Sequence, residues 1–333
     1  MTAPRRTHLH EPVPESLDGT RFDVALARQF PDYSRARLQR WIQDGRATVE
    51  GDRRRARDPV FRGEIMEVRL PAVTGLDEDG PANRGRWPPE DIAIEIVYQD
   101  DWLLVVDKPP GLVVHPGAGV PGGTLVNALV YRDPDLGLLP RAGLVHRLDK
   151  DTSGLLVVAR RLESLTALSR LLAHRQVTRR YLAIVKGRLV AGGRVDAPIG
   201  RHPAARTRMA VVPTGRHART DYRVVERFRT HSLVRLELHT GRTHQIRVHM
   251  AHIGHPVLGD PVYGGRTRAL RGAAAEVNQT LATFRRQALH AESLAFDHPV
   301  TGIPMRWNRP APADFLSVLE TIRKDSNEGG PNR

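Results

Sequence analysis

The chain contains 333 residues, carries a formal net charge of +14 and has no cysteine. The absence of cysteine excludes disulfides, thiolate nucleophiles and cysteine-based zinc sites. Because 40% of the residues are apolar, the chain can bury a core and does not belong to the disordered class. The basic surplus predicts a polyanionic partner, with nucleic acid favoured over an anionic membrane surface, since each neutralised phosphate releases counterions. Codon bias towards arginine is the alternative explanation.

The start of the chain gives no sign of a targeting segment. Residues 1–16 are polar and include proline but no apolar core, which excludes a signal peptide. No apolar run approaches the roughly 18 residues that a membrane-spanning helix needs. We therefore predict a cytoplasmic protein without membrane association.

Residues 1–17 are predicted to be a tail and residues 18–70 a compact first unit. Apolar residues recur at helical spacing in the first part of this unit, and Ser34 is a suitable N-cap for a second helix that ends at Gly45. Short strand-like segments follow. The predicted elements are helices in 22–30 and 34–45 and strands in 47–49 and 65–70.

A segment rich in proline, glycine and acidic residues, 71–90, is predicted to be a linker. In the second unit, 91–312, strand-like segments at hairpin spacing favour an α+β fold with a mixed, mainly antiparallel sheet. We expect residues 265–287 to be an inserted surface loop or thumb, and residues 313–333 a C-terminal helix and tail. The predicted elements are strands in 92–98, 103–106, 112–114, 155–159, 181–185 and 234–238, a helix capped by Ser164, a helix from Asp314 to Arg323 and a disordered tail from Lys324.

The segment GLVHRLDKDTSG, residues 143–154, is dense in polar groups and lies between apolar strands. Polar loops held by rigid strands are common places for functional sites. Asp149 lies between Arg147 and Lys150, and flanking cations favour the ionised form of a carboxylate, which acts as a nucleophile or a base. The residues alone leave open a simpler alternative, a loop salt bridge between Arg147 and Asp149.

Two further segments carry candidate functional groups. In residues 238–254 we expect Thr243 to cap a helix that stops at Gly254. The histidines of this region invite a metal site, but it has no HExxH motif and the spacing spreads the imidazoles around the helix, so we favour surface or RNA-contacting histidines. In residues 177–187, Tyr181 begins an alternating strand and is either a core tyrosine or a ring that packs against a base.

Together these segments resemble the RluA family of pseudouridine synthases. The likeness rests on three ordered motifs, HRLDxxTSG at 146–154, YxAxVxG at 181–187 and TGRTHQIRxH at 240–249. Further family-like motifs flank them, and the similarity spans roughly residues 91–310. These motifs are KPxG at 108–111, GxPxxGDxxYG at 254–264, QALHA at 287–291 and HPxTG at 298–302. One departure is Arg179, where the family often has a lysine, and the two side chains are not equivalent.

Residues 18–70 resemble an S4 RNA-binding domain through the pattern SRxxLxxWIxxG at 34–45. This order of S4 module, linker and catalytic domain is similar to the branch of the family that modifies large-subunit ribosomal RNA. Residues 202–215 resemble the RNA-gripping loop of that branch. The resemblance implies RNA contacts from Arg35, Arg37, Arg40, Arg206, Arg242 and His244.

The resemblance implies an isomerisation in which uracil detaches from C1′ through N1, turns and rejoins through C5. Asp149 would be the catalytic carboxylate, either attacking C1′ or removing the C2′ proton, and Arg247 would hold it ionised and oriented. Tyr181 would pack against the base with Ile246 as the opposite wall, and Arg147 would fill the space that the flipped uridine leaves. Nothing is oxidised and no group is donated, so the reaction implies neither a cofactor nor a metal.

Two rival functions remain at this point. A non-catalytic RNA-binding or ribosome-assembly factor would be favoured by the loss of Asp149, Tyr181 or Arg247, and all three are present. A base-releasing glycosylase would yield free uracil and an abasic RNA. Among substrates of a synthase we place large-subunit ribosomal RNA first, in the stem-loop that bridges the subunits, then another large-subunit site, then transfer RNA. We expect a monomer.

Overall fold

The computed structural model describes residues 8–30, 35–69, 87–117, 119–205, 207–265, 269–270 and 272–328. The chain divides into two compact units, Met1–Arg84 and Gly85–Arg333. None of the helices in these described ranges is both long and apolar enough to cross a bilayer.

In the first unit, two helices and a small antiparallel sheet share one core. The strands β1 and β3 pair with β5, and β2 pairs with β4. Phe22, Leu38 and Trp41 are buried in that core. The elements are β1 (His8–Pro12), β2 (Thr20–Arg21), α1 (Phe22–Gln29), α2 (Arg35–Gln43), β3 (Ala47–Val49), β4 (Pro59–Val60) and β5 (Ile65–Arg69).

This unit starts earlier than the sequence predicts. Strand β1 lies within the predicted tail and pairs with β5 from His8↔Arg69 to Pro12↔Ile65. Val13 and Leu17 are buried in the core of the unit. The strand is missed because a five-residue polar segment has no local signal and its partner lies far along the chain. Ser34, the predicted cap of α2, lies outside the described residues.

In the described part of the second unit, nine strands form one sheet in the order β10-β13-β14-β9-β15-β8-β7-β6, with β16 beside β15. The pairing of β15 with β8 is parallel and the others are antiparallel, so the predicted α+β fold is confirmed. The elements are β6 (Glu95–Gln99), β7 (Leu103–Lys108), α3 (Leu125–Arg132), β8 (Ser153–Ala159), α4 (Leu162–Ala173), β9 (Thr178–Lys186), β10 (Gly193–Asp196), β11 (Ile199–Arg201), β12 (Met209–Val211), β13 (Arg219–Arg227), β14 (His231–Leu238), α5 (Gln245–His252), α6 (Ala275–Thr283), β15 (Leu289–Asp297), β16 (Pro304–Asn308) and α7 (Ala313–Glu328).

Strands β7 and β8 are buried on both faces. Successive side chains of a strand point to opposite faces, so Leu104 and Val106 pack in the cluster that contains helix α3. Leu103 and Val105 pack on the other face with Leu168 of helix α4. Burial on both faces explains why this segment reads as a continuous apolar run instead of an alternating one.

Several boundaries differ from the predicted ones. Helix α4 begins at Leu162, which places Ser164 inside its first turn and not at the cap. Residues 112–114 form an isolated bridge through Val113 and not a strand. Helix α3 was not predicted, because an apolar segment of eight residues carries no clear helical period.

The end of the chain is more ordered than predicted. Helix α6 lies within the expected surface insertion, yet Val277 and Leu281 are buried in the main core. Helix α7 continues to Glu328, past the predicted start of the tail. Asp325 of this helix accepts hydrogen bonds at 2.9–3.1 Å from the guanidinium of Arg229, which anchors the added turn.

A substitution at Gly154, at the start of β8, tests how tightly the parallel strands β8 and β15 are packed. Its φ is +111°, and a Cβ there would lie 2.3 Å from the carbonyl oxygen of Ala291. We expect Gly154→Ala to lower the free energy of unfolding by more than about 3 kcal/mol, because backbone must move. Gly254→Ala is the control, since its φ is +80° but the space is open, and it should cost about 1–2 kcal/mol. Equal urea midpoints for the two variants would contradict this account.

Candidate active site

Three of the predicted site residues meet at one end of the sheet. Asp149 lies in the loop before β8, Tyr181 lies in β9, and Arg247 lies in α5, which follows β14. These strands are near neighbours in the order β14-β9-β15-β8. The sheet order therefore brings together side chains that are up to 98 residues apart in sequence.

Arg247 is shared between two carboxylates. Its Nη1 donates to Oδ2 of Asp149 at 3.0 Å, while Nε and Nη2 donate to the two oxygens of Asp260 at 2.7 and 2.9 Å. The side chain of Asp260 is fully buried, whereas that of Asp149 is 16% exposed. The sequence left open a salt bridge between Arg147 and Asp149, and the ion-pair partner is instead Arg247.

Asp260 is held in place by the backbone as well. Its Oδ1 accepts the N–H groups of Val262 and Tyr263 at 2.8 and 3.0 Å. The Tyr263 ring lies 5.1 Å from the guanidinium carbon of Arg247. Burial lowers the pKa of Arg247, but hydrogen bonds and the charges of both carboxylates outweigh burial and raise it. Arg247 is thus a permanent cation with a fixed orientation.

A buried lysine, Lys108, holds the backbone of the loop that carries Asp149. Nζ of Lys108 donates to the carbonyl oxygens of Pro109, Leu112 and Lys150 at 2.7–2.9 Å. Gln287 donates to the hydroxyl of Thr152 at 3.1 Å. These residues lie in the family-like motifs of the sequence, which by themselves indicate no role for them. Their role is to hold the backbone that follows Asp149.

Helix α5 begins later than predicted. Its N-cap is His244 in a left-handed conformation with φ +56°, and not Thr243. Gln245 Oε1 accepts the Thr240 hydroxyl and the Arg242 N–H at 2.7 and 3.0 Å, which satisfies the turn before the helix. The strained backbone places the His244 Nε2 4.0 Å from Asp149 Oδ1. A spacing rule for caps does not anticipate this, because Gln245 is also held from a distant strand: its Nε2 donates to the Arg219 carbonyl and the Thr220 hydroxyl, both at 3.0 Å.

A cavity of about 720 Å³ opens beside Asp149. Tyr181 and Arg242 line it, and Ile246 lines an adjoining recess that also contains Asp149 and Arg247. Arg147 is exposed on the wall. Apart from histidines, the acidic and basic residues in the described lining of the large cavity are one aspartate, Asp149, and five arginines, which are Arg141, Arg147, Arg175, Arg179 and Arg242. A cavity with this charge suits a polyanion that brings one reacting group to one carboxylate.

Tyr181 is 5% exposed, and its hydroxyl makes no hydrogen bond to another described residue. Burial raises the pKa of this hydroxyl, although the charge of Arg179 opposes the shift. The phenol is therefore protonated at neutral pH. A buried ring with an unused hydroxyl at a cavity wall is prepared for a ligand.

The remaining predicted RNA contacts are only partly described. Arg40 is exposed on α2, and the side chains of Arg35 and Arg37 lie outside the described residues, as does Arg206. His249, one of the clustered histidines, is buried and bonds to the Thr220 hydroxyl and the Ala197 carbonyl at 2.9 and 3.0 Å. That histidine serves the core and is not at a surface.

Comparison with known proteins decides the family. Residues 102–252 match the family model described as RNA pseudouridylate synthase. The protein named ribosomal large subunit pseudouridine synthase D of Pseudomonas aeruginosa is 53% identical over 315 residues, 94% of this chain and 95% of its own. The chain belongs to the RluA family of RNA pseudouridine synthases. The protein of the same name from Xanthomonas campestris pv. campestris is 52% identical over 314 residues, which are 94% of this chain and 92% of that protein.

Solved structures agree with this assignment. Human RNA pseudouridylate synthase domain containing 4 has a TM-score of 0.54 and 28% identity, covering 68% of this chain and 92% of its own. The resemblance drawn from the motifs is thus confirmed. Because pseudouridine is an isomer of uridine, the synthase is an isomerase, and the rival functions without this chemistry are set aside.

Because Asp260 and Asp149 share the guanidinium of Arg247, we expect a substitution at Asp260 to have a strong effect on catalysis. In Asp260→Asn the synthase loses the charge that orients Arg247, so Asp149 is misplaced, and we expect kcat to fall about 100-fold with a smaller change in KM. Glu226→Gln is the matched control, because Glu226 forms a two-point pair with Arg323 away from the cavity. Steady-state pseudouridine formation measures both variants, and an unchanged kcat for Asp260→Asn would contradict the orienting role.

Proposed function

We propose that the chain converts uridines of large-subunit ribosomal RNA to pseudouridine, with Asp149 as the catalytic carboxylate. The observation that carries this proposal is the ion pair of Asp149 with Arg247 at the edge of an arginine-lined cavity. The substrate class comes from relatives about half identical over nearly the whole chain, which are named for that RNA.

The carboxylate has two chemical routes, attack on C1′ or removal of the C2′ proton, and both break the bond from N1 to C1′. The detached uracil then turns, and C5 bonds to C1′. In the first route this bond displaces the Asp149 carboxylate from C1′, and in the second route Asp149 returns its proton to C2′ as the bond forms. The proton on C5 leaves and N1 ends with a proton, so the product has the composition of the substrate. Arg247 contributes by holding Asp149 through the hydrogen bond from its Nη1, at 3.0 Å, so that the carboxylate points at the sugar.

The walls of the cavity have separate roles in this proposal. The Tyr181 ring packs against the uracil, Ile246 is the apolar wall of the adjoining recess, and Arg147 enters the space that the extruded nucleotide leaves. Extruding a base costs a few kcal/mol, so a residue that refills the stack lowers that cost. Arg242 and His244, which flank the recess, contact the RNA.

The first unit is assigned to RNA binding as an S4-like domain. Arg40 is exposed on α2 of this unit, where a guanidinium can contact phosphates. Such contacts raise affinity without reading sequence, which leaves the choice of uridine to the catalytic unit. We place the enzyme in the cytoplasm, acting as a monomer on ribosomal RNA or an assembly intermediate.

Asp149→Asn tests the proposal. This variant keeps the size of the side chain and removes the carboxylate, so we expect RNA binding within about twofold of wild type and no detectable pseudouridine. Pseudouridine maps of ribosomal RNA from strains with the wild-type gene, the variant gene and no gene would identify the target uridines. Normal modification by the variant would reject Asp149, and identical maps with and without the gene would reject the substrate.

In this proposal the Tyr181 hydroxyl also takes part in the proton step at C5, and Tyr181→Phe separates that role from the packing of the ring against the uracil. The phenyl ring keeps the stacking face, so we expect unchanged RNA affinity, while the loss of the hydroxyl should slow the C5 proton step about 100-fold. Release of tritium from RNA labelled at C5 of uracil measures that step. Wild-type release by the variant would restrict Tyr181 to packing.

A further inference from the structure

Arg179 is a buried cation in the cavity wall that has no partner among the described residues. It lies in β9 two residues before Tyr181, so both side chains are on the same face of the strand. It is 8% exposed, and its Nε has no hydrogen-bond partner. Within the described ranges, no carboxylate pairs with it and no acceptor receives a hydrogen bond from its side chain. Its neighbour Arg180, on the opposite face, is paired with Glu237 at 2.9 Å.

The groups around Arg179 do not compensate its charge. Burial, and then the charge of Arg179, lower the pKa of the nearby His146 to about 3, so this imidazole is neutral. His146 Nε2 accepts the N–H of Val157 at 3.3 Å, while its buried Nδ1 has no partner. Tyr181 is neutral as well. Two orphaned polar atoms, on Arg179 and on His146, therefore lie among the lining residues of the same cavity.

The fold makes room for this guanidinium instead of neutralising it. A Cβ on Gly241 would lie 3.1 Å from Nη1 of Arg179, so the glycine of the Thr240–Arg242 turn leaves space for it. Burying a cation without a partner is costly, and a hydrophobic residue of similar size would be more stable there. A side chain that destabilises the free protein and faces a ligand cavity is explained by a role in binding the ligand.

We propose that Arg179 is a substrate-binding residue that receives a backbone phosphate of the RNA next to the extruded uridine. The planar fork of a guanidinium matches two phosphate oxygens, and the negative charge compensates the buried cation, which a neutral uracil carbonyl does not do. Two strand residues span about 7 Å, so the guanidinium lies beyond the base that Tyr181 packs against, within reach of its sugar-phosphate. This inference rests on the proposed placement of the target uridine in the cavity.

The first test removes the Arg179 guanidinium and the charge of the RNA phosphate, each alone and then both together. The substrate is an RNA oligonucleotide around a uridine that the wild-type protein modifies, with a single neutral methylphosphonate at each phosphate near that uridine in turn. For wild type, we expect one position to lower kcat/KM about 10- to 100-fold. For Arg179→Met, kcat/KM on natural RNA should fall by a similar factor, and that same methylphosphonate should then cost less than about twofold.

Arg180→Gln is the matched control, because it removes a cation from the same strand on the other face. This variant should keep the full methylphosphonate penalty. Arg179→Lys should recover part of the binding, since a lysine restores the charge without the fork. If every phosphate position costs Arg179→Met as much as it costs wild type, Arg179 does not bind phosphate and the proposal is overturned.

The melting temperature of the free protein gives a second readout. If Arg179 were only a structural residue, replacing it would lower this temperature. We expect Arg179→Met to keep or raise the melting temperature of the free protein, because the buried charge disappears. A lower melting temperature with an unchanged methylphosphonate pattern would make Arg179 a structural residue. Failure of the wild-type protein to modify any RNA would instead refute the proposed function, which separates the two outcomes.

Discussion

The proposed active site depends on one guanidinium that is held by two carboxylates, one fully buried and one partly exposed. Asp260 is fully buried, takes two hydrogen bonds from Arg247 and is saturated by backbone N–H groups. Asp149 takes the remaining Nη1 and stays partly exposed. Removing one partner of a buried ion pair typically costs about 3–5 kcal/mol, so this arrangement has little freedom to rearrange. The result is a carboxylate that is oriented by buried groups and still reaches solvent.

The sheet supplies the rigidity that this arrangement needs. The strands β14, β9, β15 and β8 are hydrogen-bonded neighbours, and β8 is entirely buried. Lys108 ties the end of β7 to the loop after Asp149 through the carbonyl group of Lys150, and it also donates to two carbonyl groups of the turn that follows β7, those of Pro109 and Leu112. A site built at strand ends and fastened by such bonds keeps its geometry when a flexible RNA strand enters.

Charge is distributed to match that substrate. Five arginines line the described part of the cavity around a single carboxylate, so the lining attracts a polyanion everywhere except at Asp149, the proposed catalytic residue. Several arginines elsewhere in the described chain are paired with acids, as in the Arg323–Glu226 and Arg229–Asp325 pairs. Arg179 differs from them because it is buried in the cavity wall with no acidic partner among the described residues.

Local sequence determined the chemistry of this protein, because a carboxylate between cations and the ordered HRLD, YxAxVxG and TGRTHQIR motifs are visible in short windows. It also determined the strand-rich second unit, since apolar runs and alternation are local signals. It did not give β1, the cap at His244 or the helix in 265–287, because each depends on partners distant in the chain. The pairing of Arg247 with Asp260, the lysine under the loop and the isolation of Arg179 were decided by the tertiary structure alone. Burial and long-range hydrogen bonding, which no short window records, determine which charged side chains have partners within the protein.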